Sequence, residues 1–77
     1  MSDILSPLPG TFYHAPSPDS DPFKKPGDPV AETDTIGLVE VMKTFIEVKA
    51  EVSGIFDGFV ADNAGPIQAG DVLAKVR

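Results

Sequence analysis

Small or apolar residues alternate with polar ones in the middle of the chain, and this period of two is typical of β-strands with one buried face. If Met42 and Lys43 form a two-residue turn, two strands pair antiparallel and their inner faces coincide. The predicted inner pairs are Val41 with Thr44, Val39 with Ile46, and Gly37 with Val48. The same register sets Glu40 opposite Phe45, Leu38 opposite Glu47, and Ile36 opposite Lys49 on the outer face.

Two parts of the chain resemble each other, which predicts a fold of two similar halves. The segment 29–36 (PVAETDTI) aligns without a gap with 66–73 (PIQAGDVL), and the segment 10–12 (GTF) matches 54–56 (GIF). The aligned Gly and Asp are 24 positions apart in the first half and 17 apart in the second, so the first half carries an insertion of seven residues. This insertion lies in the stretch HAPSPDSDPF, whose Pro, Ser and Asp residues predict an ordered loop.

The length and the punctuation of the chain indicate the fold class. A chain of 77 residues allows one domain, over residues 1–77, and its 8 prolines and 7 glycines disfavour long helices. Each half would supply about four short strands, and interlocking the halves would remove exposed strand edges. We expect an all-β fold, a flattened barrel or sandwich of two quasi-symmetric four-stranded halves.

Charge and composition exclude several classes of ligand and location. A formal net charge of -6 repels phosphate backbones, so we expect no nucleic-acid partner. The absence of cysteine excludes disulfides and thiolate metal clusters, which fits a reducing cytoplasm. The sequence has no apolar run of membrane-spanning length, and its first residues lack the features of a signal peptide. We therefore expect a cytoplasmic chain that begins at Met1 and has no membrane contact.

The predicted turn has unusual residues. Two-residue turns need positive φ angles at both central positions and therefore favour Asn, Asp or Gly, whereas Met42 and Lys43 stand here. Residues that are unsuited to a strained turn indicate selection for something other than folding. The alternative is a longer loop with an ordinary solvated lysine.

The segment VEVMKTFIEV, with Met42 and Lys43 at its centre, resembles the biotin-acceptor motif of biotinyl domains, whose common form is Ala-Met-Lys-Met. The segment SPLPGTFYHAPSPDSDPF is similar to the corresponding stretch of the biotin carboxyl carrier proteins of acetyl-CoA carboxylases, including their protruding thumb. The resemblance extends from Ser6 to about Val76. It departs from the usual pattern at Val41 and Thr44, beside the acceptor, and at Ala15, where some members have a threonine near the biotin ring.

This resemblance implies a barrel-sandwich hybrid fold of the biotinyl and lipoyl type and a carrier function. Lys43 would be the lysine that carries covalent biotin, flanked by Met42, Val41 and Thr44. A biotin protein ligase would attach the cofactor. Biotin carboxylase would then load it, and a carboxyltransferase would pass the carboxyl group to an acceptor, with acetyl-CoA as the first candidate. The chain itself would be a non-catalytic subunit or domain of acetyl-CoA carboxylase, in malonyl-CoA and fatty acid synthesis, or of a related biotin-dependent carboxylase.

The thumb is expected at about residues 14–23, and its prolines would lower the entropy of a loop folded against the biotin ring. The thumb residues that the resemblance assigns to cofactor binding are His14, Ala15, Pro16, Ser17, Pro18 and Asp19. A surface turn without a ligand is the alternative. His14 with Asp19 and Asp21 lacks the spacing of a metal site, so a solvated loop histidine is expected and no metal.

Three glutamates near the hairpin (Glu40, Glu47 and Glu51) are expected on an outer face, where they serve solubility and docking rather than acid–base catalysis. Glu40, three residues before Lys43, is the candidate for recognition by the ligase. Two other functions remain open. A lipoyl carrier shares the architecture, but its acceptor lysine usually follows Asp and it lacks the thumb. An unmodified protein-interaction domain would leave Lys43 free.

Overall fold

The computed structural model describes residues 2–77, so the predicted first residue of the domain, Met1, lies outside the described residues. Eight strands follow one another along the chain. They are β1 (Ser2–Leu5), β2 (Gly10–Tyr13), β3 (Pro29–Val30), β4 (Thr35–Val41), β5 (Thr44–Lys49), β6 (Gly54–Phe59), β7 (Gly65–Ile67) and β8 (Val72–Val76). No stretch of the described chain forms a helix with the length and apolar character needed to cross a membrane.

The strands form two four-stranded antiparallel sheets, in the orders β1-β8-β6-β3 and β5-β4-β2-β7. Each sheet contains strands from both halves of the chain, because β2 of the first half pairs with β7 and β6 of the second half pairs with β3. The predicted all-β sandwich of two interlocked four-stranded halves is therefore confirmed.

Both halves of the sequence repeat contain the same hydrogen bond from a backbone amide to an aspartate side chain. Asp34 accepts from the Ala31 amide at 2.9 Å, and Asp71 accepts in the same way from the Gln68 amide at 2.8 Å. The side chains at equivalent positions fill the core together. The equivalent buried pairs are Phe12 with Phe56, Val30 with Ile67, and Ile36 with Leu73.

The structural repeat is longer than the sequence alignment indicates. The Ser6 amide donates to the Asp71 carbonyl at 2.8 Å, and the Ala50 amide donates to the Asp34 carbonyl at 2.9 Å. The segments 2–8 and 46–52 are thus equivalent, although none of their aligned residues is identical. The repeat in this part is carried by buried positions and backbone geometry, which a comparison of residue identities does not detect.

The predicted hairpin register is confirmed in β4 and β5, with Val41 opposite Thr44, Val39 opposite Ile46, and Gly37 opposite Val48. The prediction that Ile36 stands opposite Lys49 on the outer face is wrong. Thr35 pairs with Lys49, a bulge follows, and both Ile36 and Gly37 are buried. In a bulge, two residues of one strand face a single residue of the partner strand, and the alternation of side chains is interrupted. The apolar side chain of Ile36 therefore faces the core.

The core lies between the sheets and ends before the hairpin tip. Val39 and Val48 are buried, whereas Thr44 is exposed and Ile46 is 37% exposed, although both were predicted to face inward. Gly37 lies so close to the Phe12 ring that an added Cβ would overlap it, which explains glycine inside a strand. The tip of the hairpin therefore projects beyond the packed interior, on a rigid base.

Candidate functional site

The turn between β4 and β5 has the backbone that the sequence predicts. The φ angles are 51° at Met42 and 67° at Lys43, so both central residues are in the left-handed region. Two-residue hairpin turns of this type normally contain Asn or Gly, because other side chains are strained there. The Met42 side chain is 94% exposed and Lys43 is also exposed, which means that packing does not stabilise the turn.

The Lys43 amine lies in solvent and makes no ion pair with any residue of the 2–77 range. Four ion pairs occur there, and they involve Lys24, Lys49, Lys75 and Arg77. Lys43 and Lys25 are the basic residues of this range that take part in none of them. The amine at the hairpin tip is therefore accessible to an enzyme without any rearrangement of the domain.

The residues beside the turn differ in their exposure. Val41 is half-buried against the core, and Thr44 is exposed. Glu40, on β4, is half-buried and accepts a hydrogen bond from the Tyr13 hydroxyl at 3.0 Å through Oε1. This hydrogen bond, with burial and the nearby negative charge, raises the pKa of Tyr13 above its usual value. No local sequence pattern indicates Tyr13, because its relation to Glu40 depends on the pairing of β2 with β4.

Glu47 and Glu51 are exposed, as expected for residues of an outer face. The Thr35 hydroxyl donates to Glu47 Oε1 at 2.6 Å and the Lys49 ammonium lies 3.1 Å from the same oxygen, so these contacts lower the pKa of Glu47. Glu51 follows the end of β5 and has a φ of 61°, so strand alternation does not determine where it points.

The insertion in the first half forms a loop that is closed by a backbone hydrogen bond. The Phe23 amide donates to the His14 carbonyl at 2.8 Å, and the Ser17 and Ser20 hydroxyls are 2.7 Å apart within the loop. Residues 16–22 are exposed. The loop, called the thumb below, thus stands out from the sheet on a narrow hydrogen-bonded base.

His14 is not the solvated histidine that the sequence suggests. Its ring stacks on Phe59 with centroids 3.8 Å apart and an angle of 6° between the planes. Its Nε2 lies 2.7 Å from the Ala61 carbonyl, and its backbone amide donates to Asn63 Oδ1 at 2.8 Å. These contacts anchor the thumb to the second half of the chain. Phe59, Ala61 and Asn63 are far from His14 in sequence, so no local pattern indicates this anchor.

Within residues 2–77, no three His, Cys, Asp or Glu side chains come together in a way that would hold a metal ion. His14 is turned toward Phe59 and Ala61 by the contacts above. Asp19 and Asp21 are exposed thumb residues.

A cavity of about 460 Å³ lies between the thumb and the hairpin. Tyr13 and Phe45 line its sheet side, and Ala15, Pro16 and Pro18 line its thumb side. Phe45 is two residues beyond Lys43, and its ring centroid is 6.1 Å from that of Tyr13. No Asp, Glu, Lys or Arg side chain contributes to the cavity wall that the structure describes. The site therefore combines an exposed primary amine with a neighbouring cleft suited to an uncharged ring.

The sequence matches a protein family model described as "Biotin-requiring enzyme" over residues 2–76. Among similar curated proteins, the biotin carboxyl carrier protein of acetyl-CoA carboxylase from Chlamydia muridarum is 47% identical over 95% of this chain and 45% of its own length. The protein of the same description from Porphyra purpurea is 38% identical over 96% of this chain and 47% of its own length. The chain thus spans a little under half the length of these relatives. It belongs to the biotinyl and lipoyl family of biotin-requiring enzymes.

Proposed function

We propose that this chain is the biotin carboxyl carrier of a biotin-dependent carboxylase, with biotin attached through an amide to Lys43. The observation that carries the proposal is the position of Lys43, whose exposed amine stands at the tip of a strained hairpin on a rigid sandwich. Residues that are unfavourable for folding at a surface turn indicate selection for function. Met42, also exposed and in the left-handed region, would be read with the lysine by the modifying enzyme.

The proposed modification is an acyl transfer. A lysine amine is mostly protonated at neutral pH and is then a poor nucleophile. A biotin protein ligase would dock on the hairpin, remove a proton from Nζ, and transfer the biotinyl group from an activated acyl donor. The new amide C–N bond forms as the bond to the activating group breaks. The product has no positive charge at residue 43.

Attached biotin supplies a ureido nitrogen that can carry a carboxyl group. The role of the chain is to hold this group on a tether. The tethered group then reaches a partner's active site without free diffusion, at an effective concentration up to the millimolar range. We propose biotin carboxylase and a carboxyltransferase as partners, with acetyl-CoA carboxylase as the first candidate complex. The relatives of that description support this choice.

The thumb cavity fits the proposed cofactor. Its volume of about 460 Å³ lies within the usual range for small-ligand sites, and no Asp, Glu, Lys or Arg of the described chain lines it, which suits the neutral ureido ring. Ala15 has no hydroxyl, but Ser17 and Ser20 line the same cavity and contribute polar groups. In this proposal the ring rests between the thumb and Phe45 when no partner is engaged.

The proposal is tested by treating the purified chain with a biotin ligase, ATP and biotin, followed by intact-mass analysis. We expect one biotinyl group on the wild-type chain, none on Lys43→Arg, and one on Lys25→Arg, whose altered lysine also makes no ion pair among the described residues. An unmodified wild-type chain would contradict the proposal. Attachment of lipoate by a lipoyl ligase under matched conditions, without biotinylation, would favour the lipoyl carrier instead.

We further propose that Glu40 takes part in docking the ligase. It lies on β4, three residues before the acceptor, and its second carboxylate oxygen makes no hydrogen bond to another residue in the described chain. Glu40→Lys should lower the kcat/KM of biotinylation by about tenfold, as expected when one charge at an interface is reversed. Glu51→Lys, the same charge change on an exposed residue after β5, is the control and should have little effect. Equal rates for both variants would refute the docking role.

A further inference from the structure

The Tyr13 side chain joins three strands directly behind the modified hairpin. Tyr13 lies at the end of β2, its hydroxyl donates to Glu40 on β4, and its ring packs beside Phe45 on β5. Glu40 and Phe45 are cross-strand partners, one pair removed from the residues that flank the turn. One phenol thus contacts both members of the pair on which the hairpin tip rests.

The hydrogen bond restricts the Glu40 carboxylate. Glutamate has three side-chain torsions and loses much conformational freedom when a partner binds it. In this chain the Tyr13 hydroxyl already holds Oε1 at 3.0 Å, and no basic side chain of residues 2–77 forms an ion pair with Glu40. Oε2 is left to accept a hydrogen bond from a partner, so the carboxylate is oriented and available.

We propose that Tyr13 is a positioning residue for the modification of Lys43. Its hydroxyl fixes the Glu40 carboxylate in the orientation that the ligase binds. This inference rests on the proposed function, because it assumes that Lys43 is acylated and that Glu40 contacts the ligase. The ligase binds more tightly when the Glu40 carboxylate is already ordered, because docking then loses less side-chain conformational entropy. The effect should therefore appear in KM rather than in kcat.

A merely structural pairing gives a different expectation. If Tyr13 only stabilised the sheet, loss of its hydroxyl would lower thermal stability and leave the ligase kinetics unchanged at temperatures where the domain is folded. Tyr13→Phe keeps the ring and its packing against Phe45, and it removes the hydroxyl alone. A matched control is Thr35→Val, which removes a hydroxyl that donates to another glutamate, Glu47, on the same sheet.

The hydrogen bond can be verified in the unmodified protein, because Tyr13 is the one tyrosine of the chain and there is no tryptophan. Ultraviolet titration of the phenol therefore reports Tyr13 alone. We expect its pKa to lie above the usual tyrosine value in the wild type and to fall toward that value in Glu40→Ala, which removes the hydrogen-bond acceptor. An unchanged titration in Glu40→Ala would overturn the inference.

The decisive experiment measures biotinylation kinetics for wild type, Tyr13→Phe, Glu40→Gln, the double variant and Thr35→Val, all checked for folding by circular dichroism. We expect Tyr13→Phe to raise KM about fivefold with kcat nearly unchanged, and Thr35→Val to match the wild type. The double variant should be no worse than Glu40→Gln alone, because Tyr13 acts through Glu40.

The possible failures are distinguishable. An unmodified wild-type chain would overturn both the proposed function and this inference. A wild type that is modified at Lys43, with Tyr13→Phe showing the same KM, would overturn the inference and leave the proposed function standing. Additive effects in the double variant would also overturn it, because Tyr13 would then act independently of Glu40.

Discussion

At the level of single residues, the hairpin tip combines poor local stability with an accessible amine. Met42 and Lys43 both have positive φ angles, in the left-handed region where residues other than Gly are unfavourable by about 1–2 kcal/mol each. The pairing of β4 with β5 below the turn offsets the unfavourable free energy of these two backbone conformations. Local stability thus does not explain the residues at the tip, which supports the proposed modification of Lys43.

If the turn is strained, replacing the proposed acceptor Lys43 should stabilise the fold and prevent biotinylation. Lys43→Gly should raise the free energy of unfolding by about 1 kcal/mol, because glycine adopts positive φ without strain, and it should abolish biotinylation. Chemical denaturation measures the first effect and mass analysis the second. Lys25→Gly, at an exposed lysine without positive φ, serves as the control and should not stabilise the chain. A loss of stability in Lys43→Gly would contradict the assignment of strain to this turn.

A second strained position follows from the repeat. The Ala64 amide donates to the Phe12 carbonyl at 2.7 Å, and the Gly27 amide donates to the Phe56 carbonyl at 2.8 Å, so these residues are equivalent. Both have positive φ, 61° at Ala64 and 96° at Gly27. Ala64→Gly should therefore stabilise the domain by about 1 kcal/mol, and Gly27→Ala should destabilise it by a similar amount. Thermal unfolding of the two variants measures these opposite changes in stability. Changes of the same sign would refute the equivalence of Ala64 and Gly27.

At the level of elements, the thumb is anchored at its base by His14. Stacking of the His14 ring on Phe59 contributes about 1 kcal/mol, and the hydrogen bond to the Ala61 carbonyl contributes about as much. The loop beyond this base is exposed. Its position over the cavity is therefore determined by contacts with the second half of the chain.

His14→Ala should release the base of the thumb. We expect a loss of about 1–2 kcal/mol in stability, from the stacking and the hydrogen bond together, and faster proteolytic cleavage within residues 15–22. Limited proteolysis with mass analysis locates the cleavage. Asp19→Ala, at an exposed thumb residue, is the control and should be cleaved at the wild-type rate. Unchanged cleavage in His14→Ala would show that the anchor does not order the loop.

Asp34, in the turn that leads into β4, should make the free energy of unfolding depend on pH. A hydrogen bond from the Ala31 amide and then one from Lys24, 3.0 Å away, lower the pKa of Asp34. The folded chain therefore holds the ionised carboxylate more strongly than the unfolded chain, and this contribution is present above the unfolded pKa of about 3.9. It is lost as pH falls through the lower folded value.

Asp34→Asn removes this titration. We expect the wild type to lose more stability than Asp34→Asn between about pH 4 and pH 2, where the carboxylate becomes protonated. Thermal unfolding across this range, for both proteins at constant ionic strength, measures the difference. Parallel curves for the two proteins would contradict the role of Asp34 in acid unfolding.

The hairpin was predictable at this level because alternation and a two-residue turn leave a single register that places both apolar faces together. The position of Ile36 was not predictable in the same way, because a bulge breaks the alternation and is not visible in the pattern of residues. The turn strain followed from residue identity alone. By contrast, the His14 anchor and the Tyr13–Glu40 hydrogen bond depend on pairing between residues more than 25 positions apart, which sequence reasoning along the chain does not reach.

At the level of the whole molecule, two similar halves build a quasi-twofold sandwich from which the β4–β5 hairpin projects. The two sheets exchange strands between the halves, so the base of the hairpin belongs to the common core. Aligned residue identities predicted this arrangement for the segments that begin with Gly10 and Pro29. They did not reveal the equivalence of residues 2–8 and 46–52, where the halves share burial and hydrogen bonds rather than residue types.

The overall charge is consistent with the carrier role proposed above. The formal net charge is -6, and acylation of Lys43 makes it one unit more negative. Partners that bind the tip would accordingly meet an acidic surface, and their association would be steered by basic groups and weakened by salt.

The most direct test of the account follows the carboxyl group itself. The biotinylated chain is incubated with a bacterial biotin carboxylase, ATP and radiolabelled bicarbonate, and the label that remains on the chain after rapid gel filtration is counted. We expect label on the biotinylated wild type, which avidin prevents, and no label on Lys43→Arg. A biotinylated chain that acquires no label, or equal label on Lys43→Arg, would contradict the claim that Lys43 carries the carboxyl group.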